Sequence, residues 1–328
     1  MAAARTAIAC FGEALIDFLA RPQAAGAPRQ FVEHAGGAPA NVAVGVARLG
    51  GDARFVGMLG LDMFGDALLA QFIAHGVDVA QVKRTDEART ALAFVSLDAQ
   101  GERSFSFYRP PAADLLFRAQ DFDPVAFVTT AVFHVCSNSL TGPEIAETTL
   151  HGMRLASESG TLVSMDLNLR PALWSRDVDP TPALWRALSL ADLVKLSHEE
   201  LVFLAAGEAE GAVLARLLAA GVQAVVVTDG AAPIRWWTSE ASGTTHTFAV
   251  DARDTTAAGD AFVAGLLQRM VARGVDREGI VAAFEDAGIR HDLLRHAAAA
   301  GALATTRHGA FDAMPSASDV RALLETAA

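Results

Sequence analysis

Short, unbroken apolar runs alternate with segments of helical period along most of the chain. Ile8–Leu15, Ala131–Cys136, Leu162–Met165, Leu193–Leu196 and Ala224–Val227 read as strands. Between them, Glu144–Ser157, Glu199–Ala205 and Gly211–Ala220 repeat apolar positions at helical spacing. Ala40–Leu49 does the same behind Pro39, which suits a first helical position. Continuous apolar strands separated by amphipathic helices predict a parallel sheet covered on both faces, an α/β fold.

Two stretches depart from that rhythm. Thr90–Leu97 and Arg103–Tyr108 flank Ala99-Gln100-Gly101 and read as a hairpin. Alternation puts Phe105 and Phe107 on one face and Ser104, Ser106 and Tyr108 on the other. Phe18–His34 contains Pro22, Gly26 and Pro28 and has no helical period. Together these form either a small β-layer outside the main sheet, a candidate lid, or ordinary surface hairpins.

Composition narrows the class. Among 328 residues, 52% are hydrophobic and 20% charged, enough for a large core and far from a disordered chain. The net charge of −12, with no basic run, argues against nucleic-acid or anionic-membrane partners but leaves room for a nucleotide. Cys10 and Cys136 sit in apolar runs and read as buried thiols. Glu13 and Asp17 interrupt the apolar N-terminal segment, so a signal peptide or membrane span is not expected there, and the expected compartment is the cytoplasm.

The strongest chemical signal is Asp254-Thr255-Thr256-Ala257-Ala258-Gly259-Asp260, which runs into an apolar helix through Met270. Ala257, Ala258 and Gly259 are small enough for an anion to approach their backbone at a helix N-terminus, where donors are unpaired and the dipole favours negative charge. A carboxylate just beyond, Asp260, suits a base that takes the proton of an attacking hydroxyl. A plainly capped helix would carry similar residues. Upstream, Gly36 and Gly37 permit close backbone approach, Asn41 brings a donor and acceptors, and Asp17 adds a carboxylate for vicinal hydroxyls. A tight strand–helix connection accounts for the same pattern.

Three other chemistries are disfavoured. There is no Gly-x-x-x-x-Gly-Lys-Ser/Thr run and no Gly-x-Gly-x-x-Gly after the first strand. His291, His296 and His308 lack metal-ligand spacing.

The order and spacing of the two constellations resemble both signatures of the ribokinase-like, or PfkB-type, carbohydrate kinases. The likeness runs from Phe11-Gly12-Glu13 to Gly309-Ala310. It implies a Rossmann-type three-layer α/β sandwich, mostly parallel, with a small β-sheet lid. Residues 1–13, 35–89 and 119–328 would form the nucleotide- and sugar-binding domain, and 14–34 and 90–118 the lid. It also implies ATP with Mg²⁺ and phosphorylation of a primary sugar alcohol. By that likeness Asp260 is the base, Ala257–Gly259 form the anion hole, and Asp17, Gly36, Gly37 and Asn41 bind sugar.

Further positions follow from the same resemblance. Asp166-Leu167-Asn168-Leu169-Arg170 looks like the family's Asp-x-Asn-x-Arg segment, with Asn168 and Arg170 toward the phosphates and Mg²⁺. Ser197 stands where an Asn-x-x-Glu motif has Asn, and Glu200 would orient water around Mg²⁺. Thr228-Asp229-Gly230 resembles a nucleotide-binding Thr-x-Gly turn, although Pro233 replaces a glycine that often follows. Asp254, Thr256, Thr305 and His308 lie where related enzymes hold a monovalent cation such as K⁺. Gly12–Asp17 and Glu102–Arg109 are most similar to the bacterial fructokinases, with Phe107 stacking on the sugar and Arg109 meeting a hydroxyl or a carboxylate. An acid-binding Arg109 keeps 2-keto-3-deoxygluconate kinase as an alternative, beside a pentose or nucleoside kinase and a catalytically silent sugar-binding regulator. A homodimer formed through the lid is expected, as in relatives.

Overall fold

The computed structural model describes residues 5–21, 28–97 and 103–326. In chain order the elements are β1 (Ala7–Phe11), β2 (Leu15–Ala20), β3 (Phe31–Gly36), α1 (Ala38–Arg48), β4 (Asp52–Gly60), α2 (Met63–Ala74), β5 (Val82–Thr85), β6 (Ala91–Leu97) and β7 (Arg103–Tyr108). Then follow β8 (Thr130–Cys136), α3 (Pro143–Glu158), β9 (Leu162–Asp166), α4 (Thr181–Leu188), β10 (Leu193–Ser197), α5 (His198–Ala205), α6 (Glu210–Ala219) and β11 (Ala224–Thr228). The chain closes with β12 (Ile234–Trp237), β13 (Ser242–Thr245), α7 (Ala258–Ala272), α8 (Ile280–Glu285), α9 (Ala287–Thr305) and α10 (Ala317–Thr326).

Among the described residues, one sheet has the order β13-β12-β11-β10-β9-β8-β1-β4-β5. It is parallel from β5 to β11, and β12 and β13 are antiparallel at one edge. Alternate strand residues feed opposite cores, because side chains alternate across a sheet. Ile8 and Cys10 pack with α1, α7 and α9 residues such as Val44, Leu266 and Leu294. Ala9 and Phe11 pack with α3 and α4 residues such as Leu150 and Leu184. The result is the expected helix–sheet–helix sandwich.

A second sheet, ordered β3-β2-β6-β7, lies apart from the first. Its strands come from the two stretches that broke the sequence rhythm. The Ala99-Gln100-Gly101 turn, Pro22, Gly26 and the side chain of Phe105 fall outside the described residues. The expected strand Ile8–Leu15 proves to be parts of two. Gly12, at φ 146°, ends β1, and Leu15 opens β2 in the other sheet. Apolar content alone could not mark that break, since Ala14, Leu15 and Ile16 are as buried as β1.

The topology also sets where a ligand belongs. From β1 the chain goes to β4 and β5 on one side, then returns to β8 on the other. Carboxyl ends of parallel strands at such a reversal leave an open crevice. The links that follow β1 and β8, with Glu13 and Asn138, lie at that crevice.

Candidate active site

Asp260 occupies the first turn of α7 and is only 6% exposed. Ala257 precedes the helix in the left-handed region, at φ 58°, so the chain turns sharply before α7 begins. The first amides of a helix have no carbonyl one turn earlier to bind, and here Ala258 N makes only a long turn bond, 3.3 Å, to the Thr255 carbonyl. Two amides hold that carboxylate in place. Asn41 Nδ2 donates to Oδ2 at 2.7 Å, and Asn168 Nδ2 donates to Oδ1 at 2.9 Å. Burial raises the Asp260 pKa to about 6; the Asn41 bond opposes this, the charge of Asp166 adds to it, and Arg170 and Lys195 oppose it.

A cavity of about 340 Å³ opens beside Asp260, lined among others by Asp17, Gly37, Asn41, Phe107, Asn168 and Arg170. The second sheet forms one wall through its register. Asp17 pairs with Ala93, and Ala93 with Phe107, so these three side chains share one face. Phe18 and Phe94 stack on the opposite face at 5.1 Å. Gly37, at φ 108°, is the residue before α1, and a Cβ there would meet the Glu13 carbonyl at 2.6 Å. This turn starts α1 so that Asn41 reaches Asp260. Gly36 ends β3 opposite Leu15. Burial, and then the charge of Asp260, raise the Asp17 pKa to about 7, with Arg170 opposing.

On the other side of Asp260, the carboxyl ends of β9, β10 and β11 line up. Asn168 takes a left-handed conformation, φ 40°, just beyond β9. Lys195 pairs with Asp166 in register, and its Nζ lies 3.1 Å from Asp166 Oδ2. Ser197 caps α5 through a reciprocal pair with Glu200: its Oγ accepts from Glu200 N at 3.1 Å, and Glu200 Oε2 accepts from Ser197 N at 2.7 Å. Glu200 Oε1 accepts from Leu169 N at 2.7 Å. Burial raises the Glu200 pKa, and Asp166 raises it further. Thr228 pairs with Ser197 at the end of β11, with Gly230 exposed beyond it at φ 51°. These positions form a track leading away from Asp260, suited to a phosphate chain and its nucleotide.

A profile of the pfkB family of carbohydrate kinases matches residues 5–317. The chain belongs to this family. It is similar to a fructokinase of Xylella fastidiosa solved with bound ATP, with 51% identity over 98% of this chain and 99% of that one and a TM-score of 0.95. It is also similar to a fructokinase of Vibrio cholerae O395 solved with fructose, ADP and a calcium ion, at 32% identity, 98% and 99% coverage and a TM-score of 0.84. Fructokinase-1 of Zea mays is 40% identical over the full length of both chains.

Of the residues expected at the site, Asp17, Gly37, Asn41, Phe107, Asn168, Arg170, Thr256, Ala257 and Asp260 line the cavity, and Arg109 does not. Arg109 is 2% exposed and is not among the residues that line the cavity. Its Nε and Nη2 donate to Asp114 Oδ2 at 2.8 and 2.6 Å, and its Nη1 donates to the Asn138 carbonyl and Thr141 Oγ1. Its guanidinium is thus turned to Asp114 and the 138–141 turn, away from the position of a direct substrate contact. Asp254, Thr256, Thr305 and His308 do meet. The Thr305 carbonyl accepts from Arg253 N and Asp254 N, Asp254 Oδ1 accepts from Thr256 N at 2.8 Å, and His308 Nδ1 lies 3.7 Å from Asp254 Oδ2.

Three residues of the site had no role in the sequence reading. Lys195 lies against the anion cradle, 3.1 Å from where a Cβ on Gly259 would sit. A lysine inside the apolar run Leu193–Leu196 was its signal, since a buried ammonium needs a partner. Glu13 is 1% exposed, lines the cavity, and accepts from Asn138 Nδ2 at 2.9 Å and Ala38 N at 3.2 Å. Asn138 itself follows β8, a strand-end position that a parallel sheet marks for ligands.

Proposed function

We propose that the chain is an ATP-dependent fructokinase that transfers the γ-phosphoryl group to O6 of fructose. The observation that carries this reading is the buried Asp260 carboxylate, held by Asn41 and Asn168 between the cavity and the start of α7. The fructokinase relatives supply the sugar and the nucleotide.

The sugar lies in the cavity with its hydroxyls toward Asp17, Gly36, Gly37 and Asn41, and Phe107 covers an apolar face of the ring. Asp260 accepts the proton of O6 as that oxygen bonds to the γ-phosphorus, and the bond from phosphorus to the ADP oxygen breaks. Amides at Ala257, Ala258 and Gly259 receive the charge that spreads over the phosphoryl oxygens. Lys195 and Arg170 add positive charge on the same side. Thr228 and Gly230 border the nucleotide.

Mg²⁺ fits as an ion carried by ATP. Among the described residues no three His, Cys, Asp or Glu side chains converge on a metal position, and both Glu200 oxygens already accept backbone amides. Mg²⁺ with few protein ligands is the usual arrangement on nucleotide phosphates. Asn168 offers a buried Oδ1 with no hydrogen-bond partner, and Glu200 would hold a water of the ion. When bound, the ion neutralises phosphate charge. The Asp254, Thr256, Thr305 and His308 loop is the candidate for K⁺.

The second sheet acts as a lid that closes over the sugar and excludes water. Its face away from the cavity carries Phe94 and the 67% exposed Tyr108, which supports a homodimer through the lid. Among the described residues no helix is long and apolar enough to cross a membrane, in keeping with a cytoplasmic enzyme. Burial of Arg109 removes the cation that singled out an acidic sugar.

An ATP-coupled assay with fructose, 2-keto-3-deoxygluconate, ribose and adenosine tests the assignment. Fructose is expected to give the highest kcat/KM. A preference for any of the others would replace it, and sugar binding without turnover would favour a silent regulator.

A further inference from the structure

Arg109 stands where lid strand β7 returns to the α/β body, and its guanidinium joins segments from both. It grips Asp114 through two nitrogens and the 138–141 turn through the third. From that turn, Asn138 Nδ2 donates to Glu13, whose carboxylate lines the sugar cavity. Glu13 lies in the link from β1 to β2, so two of the crossings between body and lid converge on one cation. A third crossing is tied in beside it, where Ala113 N donates to the Arg89 carbonyl at 2.8 Å just before β6. Phe107, two residues before Arg109, lines the cavity as well.

Burying a guanidinium costs several kcal/mol, and an apolar side chain would end the strand without that cost. What a planar fork adds is direction, because it fixes both of its partners at set angles. Burial raises the Glu13 pKa, and the nearby charge of Arg109 opposes that rise.

We propose that Arg109 is a positioning residue of the sugar pocket, fixing the Glu13 carboxylate and the root of β7 so that the lid wall meets the sugar in register. The proposal rests on the fructokinase reading above. It places the effect of Arg109 on the sugar side alone, since its partners are Asp114 beyond β7 and the 138–141 turn, whose Asn138 lines the sugar cavity.

Two variants test it: Arg109→Lys, which keeps the charge and loses the fork, and Arg109→Met with Asp114→Leu, which removes both buried charges. Apolar replacement of a whole buried pair usually folds well. Fructose KM at saturating ATP, ATP KM at saturating fructose and Tm are measured for each. Misplacement of a pocket wall by about 1 Å is expected to raise fructose KM about 10–100-fold, with ATP KM within about twofold of wild type. A merely structural role predicts instead that the double variant, with no charge left unpaired, recovers the wild-type fructose KM. That recovery overturns the proposal, as does a fructose KM within about twofold of wild type in Arg109→Lys, or a parallel rise of both KM values. The Lys variant decides the matter if the double variant does not fold. Wild-type enzyme that phosphorylates no sugar would overturn the fructokinase reading itself.

Discussion

As the proposed base, Asp260 has to meet two opposed demands: it must be desolvated enough to attract a proton and still be ionised at working pH. Burial pushes its pKa to about 6, while Asn41, Arg170 and Lys195 hold the value down. The base works only when ionised, so kcat/KM is expected to fall about tenfold per pH unit below roughly pH 6. Replacing Lys195 by Met removes one restraining charge and should move that acidic limb to higher pH; an unmoved limb would detach Lys195 from the base.

Asp17 shows the same conflict in its effect on stability. Its folded pKa, about 7, lies above the ordinary aspartate value of 3.8. The folded state therefore binds the extra proton between those values. The stability it contributes is full below about pH 4 and is lost as pH rises through about 7. At neutral pH its charge is a cost to stability, which the proposed sugar contact would explain. Asp17→Asn should raise Tm at pH 8 while raising fructose KM, and a lowered Tm would contradict this.

At the scale of elements, the site depends on backbone conformations that few residues adopt. Gly37 lets β3 turn into α1 at φ 108°, and a Cβ there would press on the Glu13 carbonyl. Gly37→Ala is expected to lose about 2 kcal/mol or more of stability and to raise fructose KM, read from denaturant melts and initial rates. Ala257 shows the limit of sequence reasoning. Its small size announced an anion cradle, but nothing in its type announced a left-handed turn. The strands of the large sheet were legible because both faces are buried, which makes the apolar runs continuous. The break at Gly12 was not, because burial continues across it from one sheet into the other. Arg109 misled for a related reason: a charge at the end of an exposed-looking hairpin reads as solvated or ligand-facing until the fold buries it.

For the whole molecule, the chain order of the motifs becomes a spatial order. Asp17 and Asn41 come from the N-terminal third, Asn168 from just beyond β9, and Asp260 from α7, and the reversal of strand order at β1 and β8 brings them to one crevice. The two signatures were readable because each is local. Glu13, Asn138 and Lys195 were missed because their meaning lies in contacts made across the sheet. The exposed Tyr108 of the small sheet bears on assembly. Light scattering should report twice the 34.3 kDa chain mass, and a monomeric mass would remove the lid-to-lid dimer.

The central claim is that Asp260 takes the proton of a sugar hydroxyl. Single-turnover phosphorylation of fructose by Asp260→Asn, with ATP and fructose saturating, tests it most directly. A loss of about 10²–10⁴-fold in rate, with fructose and ATP still bound, is the predicted result. A near-normal rate would contradict it.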